Sequence, residues 1–239
     1  MRVEIVPCLK DNYSYLIIDD SNNSACVVDP SESKPILNFL NNKSIKLKYI
    51  LNTHHHFDHV GGNKDLKKKF GSTVIGFKED SSRIPEIDVE LENNQIWKAE
   101  NFVAKIIHVP GHTSGHICFH FFKEKIVFTG DTLFSLGCGR IFEGTNQEMF
   151  NSLKKIKALP DETKIYCGHE YTINNSKFCI QYDADNQNLK KKIEDIKRKI
   201  KNGSPTIPST IKEEIDCNIF LRTNDLETFS KLRDLKDNF

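Results

Sequence analysis

A mixed α/β fold, richer in strand than in helix and closed by an all-helical tail, is what the amino-acid sequence predicts. Three observations carry it. Short β-branched and aromatic runs alternate with turns over the first two thirds of the chain. Apolar residues recur at helical spacing between some of those runs. After about residue 173 the strand signals stop and amphipathic helices take over.

In chain order, strands are expected at RVEIVP (2–7), YSYLII (13–18), ACVVD (25–29), KYIL (48–51), TVIG (73–76), FVAKIIHV (102–109), HICFHFF (116–122), KIVFTG (125–130) and KIYCG (164–168). Helices are expected at 33–42, where Ile36, Leu37 and Leu40 share a face, at 62–70, and at 146–159, where Phe150, Leu153, Ile156 and Leu159 recur. In the tail, NLKKKIEDIKRKIKNG puts Leu189, Ile193, Ile196 and Ile200 on one stripe and ends at Gly203, a residue suited to the turn after a helix. Pro205 and Pro208 interrupt the chain. Ser209 or Thr210 then caps a helix through IKEEI, with Glu213 completing a capping box from Thr210. A last helix at about 225–236 aligns Leu226, Phe229 and Leu232. The division implied is an α/β body over 1–172 and a helical domain over 173–239.

Composition narrows the function classes. Of 239 residues, 34 are Lys or Arg and 33 are Asp or Glu, a net charge of +1, which lacks the basic excess of a nucleic-acid or membrane-surface binder. Glu194 and Asp195 interrupt the lysines of the tail helix, so its polar face reads as solvated surface. There is no apolar run of membrane-spanning length, and Glu4 and Asp11 in a strand-like N-terminus are unlike a signal or transit peptide. A cytoplasmic monomer is expected. Seven cysteines, scattered and never spaced C-x-x-C, suggest buried reduced thiols and no thiolate zinc site.

The chemistry lies in the histidines. THHHFDH (53–59) places five metal-capable side chains on seven residues, and HVPGHTSGH (108–116) and CGHEYT (167–172) form two further clusters. Each follows an apolar, strand-like run, as does Asp131 in FTGDTLF. A sheet can therefore present all of them at one edge. His54 and His56, two apart, can chelate one ion with His112, while Asp58 and His59 serve a second with His169. Asp131 and a hydroxide would bridge the two. Imidazole and carboxylate donors without thiolates suit Zn²⁺, and Fe²⁺ or Mn²⁺ as well. His55 is read as a bystander, and His116 and His120 as core residues, His116 with an orienting role.

In this order, THHHFDH, PGHTSGH, FTGDTLF and CGHEYT resemble the metallo-β-lactamase superfamily, and the chain from DNYSYLI to NIFLR is similar to its glyoxalase II (hydroxyacylglutathione hydrolase) branch. The resemblance implies a four-layer αββα sandwich carrying a C-terminal helical domain. GCGRIFEGT (137–145) resembles the family's glutathione-contacting loop, GHEYTINN (168–175) its metal-plus-tyrosine segment, and CNIFLR (217–222) its tail motif. By position this implies that Arg140, Phe142, Tyr171 and Arg222 contact the glutathione moiety. Phe142 stands where some members have tyrosine, Ile219 replaces a proline, and TNDLE follows the tail arginine where some members carry a lysine.

The expected activity is hydrolysis of S-(2-hydroxyacyl)glutathione by a dinuclear centre, with Asp58 and Asp131 as its catalytic carboxylates. The rivals are a persulfide dioxygenase or another hydrolase of the same fold, and an RNA-processing nuclease, for which a basic cleft is expected and not seen in the charge balance.

Overall fold

The computed structural model describes residues 1–41 and 43–239. It divides into two compact units, Met1–His108 with Gly115–Glu124, and Val109–Ser114 with Lys125–Phe239.

The first unit opens with β1 (Arg2–Cys8), β2 (Asn12–Asp19), β3 (Ser24–Val28), α1 (Ser33–Leu40) and β4 (Lys46–Leu51). It continues with α2 (Phe57–Val60), α3 (Asn63–Phe70), β5 (Thr73–Phe77) and β6 (Val89–Leu91), and ends with β7 (Ile96–Ala99), β8 (Phe102–His108) and β9 (Ile117–Phe121). Strands β1 to β6 form one sheet in sequence order, antiparallel from β1 to β3 and parallel from β3 to β6. The parallel half needs crossovers, of which α1 and α3 supply those from β3 to β4 and from β4 to β5. Ile36, Leu40 and Leu66 of these helices bury against Leu16, Ile18, Val27, Ile50 and Val74. β3 is buried along its whole length, as expected of a central strand covered on both faces. On the opposite face Tyr49 meets Trp97 of β7 and Phe102 of β8 edge-on, with centroids 5.5 and 6.0 Å apart.

The helix expected at 33–42 ends at Leu40, and residue 42 lies outside the described residues. Gly61 and Gly62 close α2 where the chain touches the turn after β3. A Cβ on Gly61 would sit 2.5 Å from the Ser31 carbonyl oxygen, and Gly62 N donates to Pro30 O at 2.7 Å.

The second unit holds β10 (Ile126–Gly130), β11 (Leu133–Phe134), β12 (Gly137–Cys138), α4 (Asn146–Lys157), β13 (Lys164–Cys167), α5 (Thr172–Tyr182) and α6 (Gln187–Lys201). It closes with β14 (Ser209–Thr210), α7 (Ile211–Cys217), α8 (Ile219–Arg222) and α9 (Leu226–Asp237). β10 pairs parallel with β13, which pairs antiparallel with β14. The helices share an aromatic core in which Phe178, Phe220, Phe229 and Phe150 follow one another with centroids 5.5 to 6.0 Å apart.

Capping boxes start α4 at Thr145–Glu148 and α7 at Thr210–Glu213, the latter as the sequence anticipates. The stripe on α6 is narrower than its spacing suggests. Leu189 and Ile196 are buried, but Ile200 is 40% exposed, and Lys192 takes a buried place with its ammonium 2.8 Å from Glu213. Gly203, at φ +67°, makes the expected left-handed turn after the helix. All seven cysteines are free and buried. No helix among the described residues is long and apolar enough to cross a membrane.

Candidate metal centre

In the first unit the ligand segment runs from the end of β4 into α2, so a strand fixes its start and a helical turn its end. The rings of His56 and His59 lie 4.7 and 4.2 Å from that of His54, and Asp58 Oδ2 is 3.7 Å from His59 Nε2. The four residues that the sequence singles out here therefore converge.

A carboxylate that the sequence analysis did not single out organises them. Asp29, buried at the end of β3, accepts from Thr53 N at 2.7 Å, from Thr53 Oγ1 at 2.6 Å and from His59 Nδ1 at 3.0 Å. A carboxylate only accepts, so His59 carries its proton on Nδ1 and presents the lone pair of Nε2. Thr53 spends its one hydroxyl proton on Asp29 and so accepts from His54 Nδ1 at 3.0 Å, which leaves His54 Nε2 as a lone pair too.

This is the arrangement that prepares neutral imidazoles for a metal ion: the far nitrogen is held by an acceptor, and the near one is left as donor to the ion. Asp29 itself adopts φ +46°, a left-handed conformation that aspartate tolerates better than most residues. Ser14 locks it, donating from Oγ to Asp29 O at 2.7 Å. Asn12, buried at the start of β2, donates to Asp58 Oδ2 at 3.0 Å and to Asp58 O at 3.1 Å.

In the second unit Asp131 follows β10, His112 lies in the loop 109–114, and His169 follows β13. One carboxylate oxygen, Asp131 Oδ2, is 3.5 Å from His112 Nε2 and 3.3 Å from His169 Nε2. His112 Nδ1 donates to the Arg140 carbonyl at 2.8 Å, so again Nε2 keeps its lone pair. His169 stacks on Tyr171, with centroids 4.7 Å apart and planes 8° from parallel. Cys167, two residues away, donates its thiol to His169 O at 3.4 Å. Burial pushes that thiol up to about 12, the pattern of a core residue and not of a thiolate ligand. Nitrogen and carboxylate donors with prepared tautomers fit a divalent ion of the borderline class.

The residues expected to hold glutathione all lie in the second unit. Arg140 is exposed, with Nε 3.2 Å from Asp237 Oδ1 and Nη2 3.3 Å from Asp237 O. Arg222 is exposed, with Nε 3.0 Å from Asp183 Oδ2. Phe142 is 61% exposed and meets the His112 ring edge-on at 5.2 Å. Tyr171 is half-buried between His169 and Phe134.

Of the remaining histidines, His116 stacks on His54 at 4.6 Å. His55 turns to Asp80, 3.0 Å from Nδ1, and His108 stacks on Phe77. His120 is buried in β9, where burial first and Lys105 second hold its pKa below the usual histidine value.

Comparison with known proteins places these observations in a family. Residues 10–169 match the model of the metallo-β-lactamase superfamily, and residues 170–239 match the model of the hydroxyacylglutathione hydrolase C-terminus. The chain is 66% identical over 239 residues to a hydroxyacylglutathione hydrolase of Pelagibacter ubique, covering 100% of both chains. It is 44% identical to one of Crocosphaera subtropica, again over 100% of both. Among solved structures, ETHE1 from Myxococcus xanthus superposes with a TM-score of 0.75 at 24% identity, over 98% of this chain and 90% of that one. The BLEG-1 B3 metallo-β-lactamase superposes with a TM-score of 0.71 at 23% identity, over 93% of this chain and 100% of that one. The fold is thus the metallo-β-lactamase α/β fold with a C-terminal helical domain. The chain belongs to the metallo-β-lactamase superfamily and, within it, to the hydroxyacylglutathione hydrolase family.

Proposed function

We propose that the protein hydrolyses S-(2-hydroxyacyl)glutathione, typified by S-D-lactoylglutathione, to glutathione and a 2-hydroxy acid such as D-lactate, the second step of methylglyoxal detoxification. The observation that carries this reading is the match of residues 170–239 to a hydroxyacylglutathione hydrolase tail, because the histidine motifs by themselves name only the superfamily.

In this reading His54, His56 and His112 would hold one divalent ion, and Asp58, His59 and His169 would hold a second, with Asp131 available to either. Zinc is the expected metal, and iron or manganese suits the same donors. When bound, such ions bring the pKa of water from about 15.7 to about 7 and polarise a carbonyl oxygen.

The chain's own residues do the rest. Asp29 and Thr53 keep His54 and His59 in the tautomer that offers Nε2. Asn12 fixes one oxygen of Asp58, and that carboxylate orients the attacking water. Arg140, Phe142, Tyr171 and Arg222 hold the glutathione portion, and each guanidinium has N–H groups beyond those given to Asp237, to Asp183 or to the Asp216 carbonyl for a substrate carboxylate. The leaving thiolate belongs to an acid of pKa about 8.5, so its departure requires no proton donor.

The division into a catalytic body over 1–172 and a glutathione-binding tail over 173–239 belongs to the same proposal, as does a cytoplasmic, monomeric enzyme. Seven free buried thiols support the reducing compartment.

The test is steady-state hydrolysis of S-D-lactoylglutathione by the purified chain, with metals quantified in the same sample and a chelated control. Fast, chelator-sensitive turnover with about two ions per chain is the expected result. Oxygen consumption with a single iron per chain, and no thioester hydrolysis, would replace the reading with an oxygenase.

A further inference from the structure

Between β5 and β6 the chain runs as a strap over residues 78–88, pinned to the rest of the first unit at several points. Asn63 Nδ2 donates to Pro85 O at 3.1 Å, and Lys67 Nζ donates to Glu86 O at 2.9 Å. Asp88 Oδ2 accepts from Val74 N at 2.9 Å. At the start of the strap a single helical turn, Lys78–Asp80, buries Asp80 completely. The Asp80 carbonyl accepts from Arg83 N at 3.0 Å and from Ile84 N at 3.2 Å, so the backbone that carries this carboxylate is fixed.

The Asp80 carboxylate is held from one side and holds on the other. Arg83 places Nε 2.7 Å and Nη2 2.6 Å from Oδ1. His55 Nδ1 lies 3.0 Å from Oδ1 and 3.1 Å from Oδ2, and because a carboxylate only accepts, the imidazole is the donor. The His55 ring in turn meets the His56 ring edge-on, with centroids 5.0 Å apart and planes at 70°, and stands 6.4 Å from that of His54. Asp80 also packs against the loop before β9, where a Cβ on Gly115 would sit 2.6 Å from the Asp80 Cβ. The next residue, His116, carries the ring stacked on His54.

A carboxylate with no exposure to water is costly unless donors surround it, and this one takes its donors from its own strap and from the middle of the THHHFDH run. Asp29 and Thr53 orient His54 and His59, whereas the contact to His56 comes from its neighbour in sequence. We propose that His55 and Asp80 are a positioning pair: Asp80 anchors the His55 ring, and the edge of that ring sets the direction of the His56 imidazole. The sequence gives His55 the look of a bystander because its partner lies 25 residues away. The proposal rests on the reading of His54 and His56 as ligands of one ion.

The test is zinc affinity of full-length variants, measured by competition with a chromophoric chelator, with Tm recorded for each. His55→Ala and Asp80→Asn are each expected to lower zinc affinity by about tenfold. His55→Phe keeps the edge contact without the anchor and is expected to fall between His55→Ala and wild type. Because Asp80 acts through His55, adding Asp80→Asn to His55→Ala is expected to change affinity by no more than about twofold. Asp88→Asn loosens the same strap away from the histidines, so its Tm is expected to fall while zinc affinity stays within about twofold of wild type. If Asp80→Asn does not melt cooperatively, His55→Ala against His55→Phe decides, and no recovery with phenylalanine overturns the proposal. So does wild-type affinity in His55→Ala, a full further loss in the double variant, or an equal loss in Asp88→Asn. His54→Ala in the same titration checks the ligand reading itself: wild-type affinity there overturns that reading, and the positioning pair falls with it.

Discussion

The two units prepare their histidines by different means. In the first unit, His54, His56, Asp58 and His59 arrive on a single strand-to-helix turn, and one buried carboxylate, Asp29, reaches His59 directly and His54 through Thr53. In the second, His112, Asp131 and His169 come from three separate loops, and the acceptor behind His112 is a backbone carbonyl that other residues must hold in place. A carboxylate makes an imidazole a stronger donor to a metal than a carbonyl does, and it can be removed by one substitution. The backbone acceptor cannot be removed that way, and its alignment is distributed over the tail.

The largest effect belongs to the proposed ligands. His54→Ala in the first unit and Asp131→Ala in the second are each expected to lower kcat/KM for S-D-lactoylglutathione by on the order of 1,000-fold or more with cooperative melting retained. Near-normal turnover in either would remove that unit from the reaction. Next comes Asp29→Ala, which strips the acceptor from two imidazoles at once and is expected to weaken zinc binding by about 10- to 100-fold in a chelator competition. Zinc affinity within about twofold of wild type would erase the contrast between the units.

Smaller still is Arg222→Ala, expected to raise KM by about tenfold with kcat little changed, since in the proposed reading it holds a part of the substrate remote from the thioester. A pure fall in kcat would place Arg222 at the chemistry instead.

The smallest effect is one of pH. Glu214, buried under the 134–140 segment, has its pKa raised chiefly by burial. The folded chain therefore keeps this proton above the pH at which the unfolded chain loses it. Stability from that group is full below the ordinary glutamate value and falls as pH rises through the raised one. Glu214→Gln keeps an acceptor for Leu136 N and has nothing to ionise, so its Tm should decline less than that of wild type as pH rises from about 4.5. Parallel Tm curves for the two proteins would contradict this.

The same contrast explains what was legible in the sequence. THHHFDH is local, so its spacing alone suggests which side chains can meet, and the capping box at Thr210 and the turn at Gly203 are local in the same way. Asp29 is not: in VVDP it reads as an ordinary turn residue, and only the parallel pairing of β3 with β4 brings it to Thr53. Asn12 reaches Asp58 across 46 residues, and Arg233 reaches Cys138 across 95. Within KLRDLKD nothing distinguishes that arginine from its charged neighbours until the helix is docked. Ile200 fails in the opposite sense, because periodicity marks a face of α6 but not how far along the helix its partners extend. The roles proposed for the exposed arginines at 140 and 222 rest on family resemblance alone, since neither burial nor spacing singles them out.

Gly139 bears on how the enzyme can be redesigned. A Cβ there would run into the carbonyl oxygen of Asp131 and touch the His112 side chain at 3.4 Å. A library that randomises residues 137–142 to change the preferred thiol carrier should therefore return glycine at 139 in every active clone, while Arg140 and Phe142, both exposed, accept variety. The room to evolve selectivity begins one residue beyond the point where the backbone is committed to Asp131 and His112.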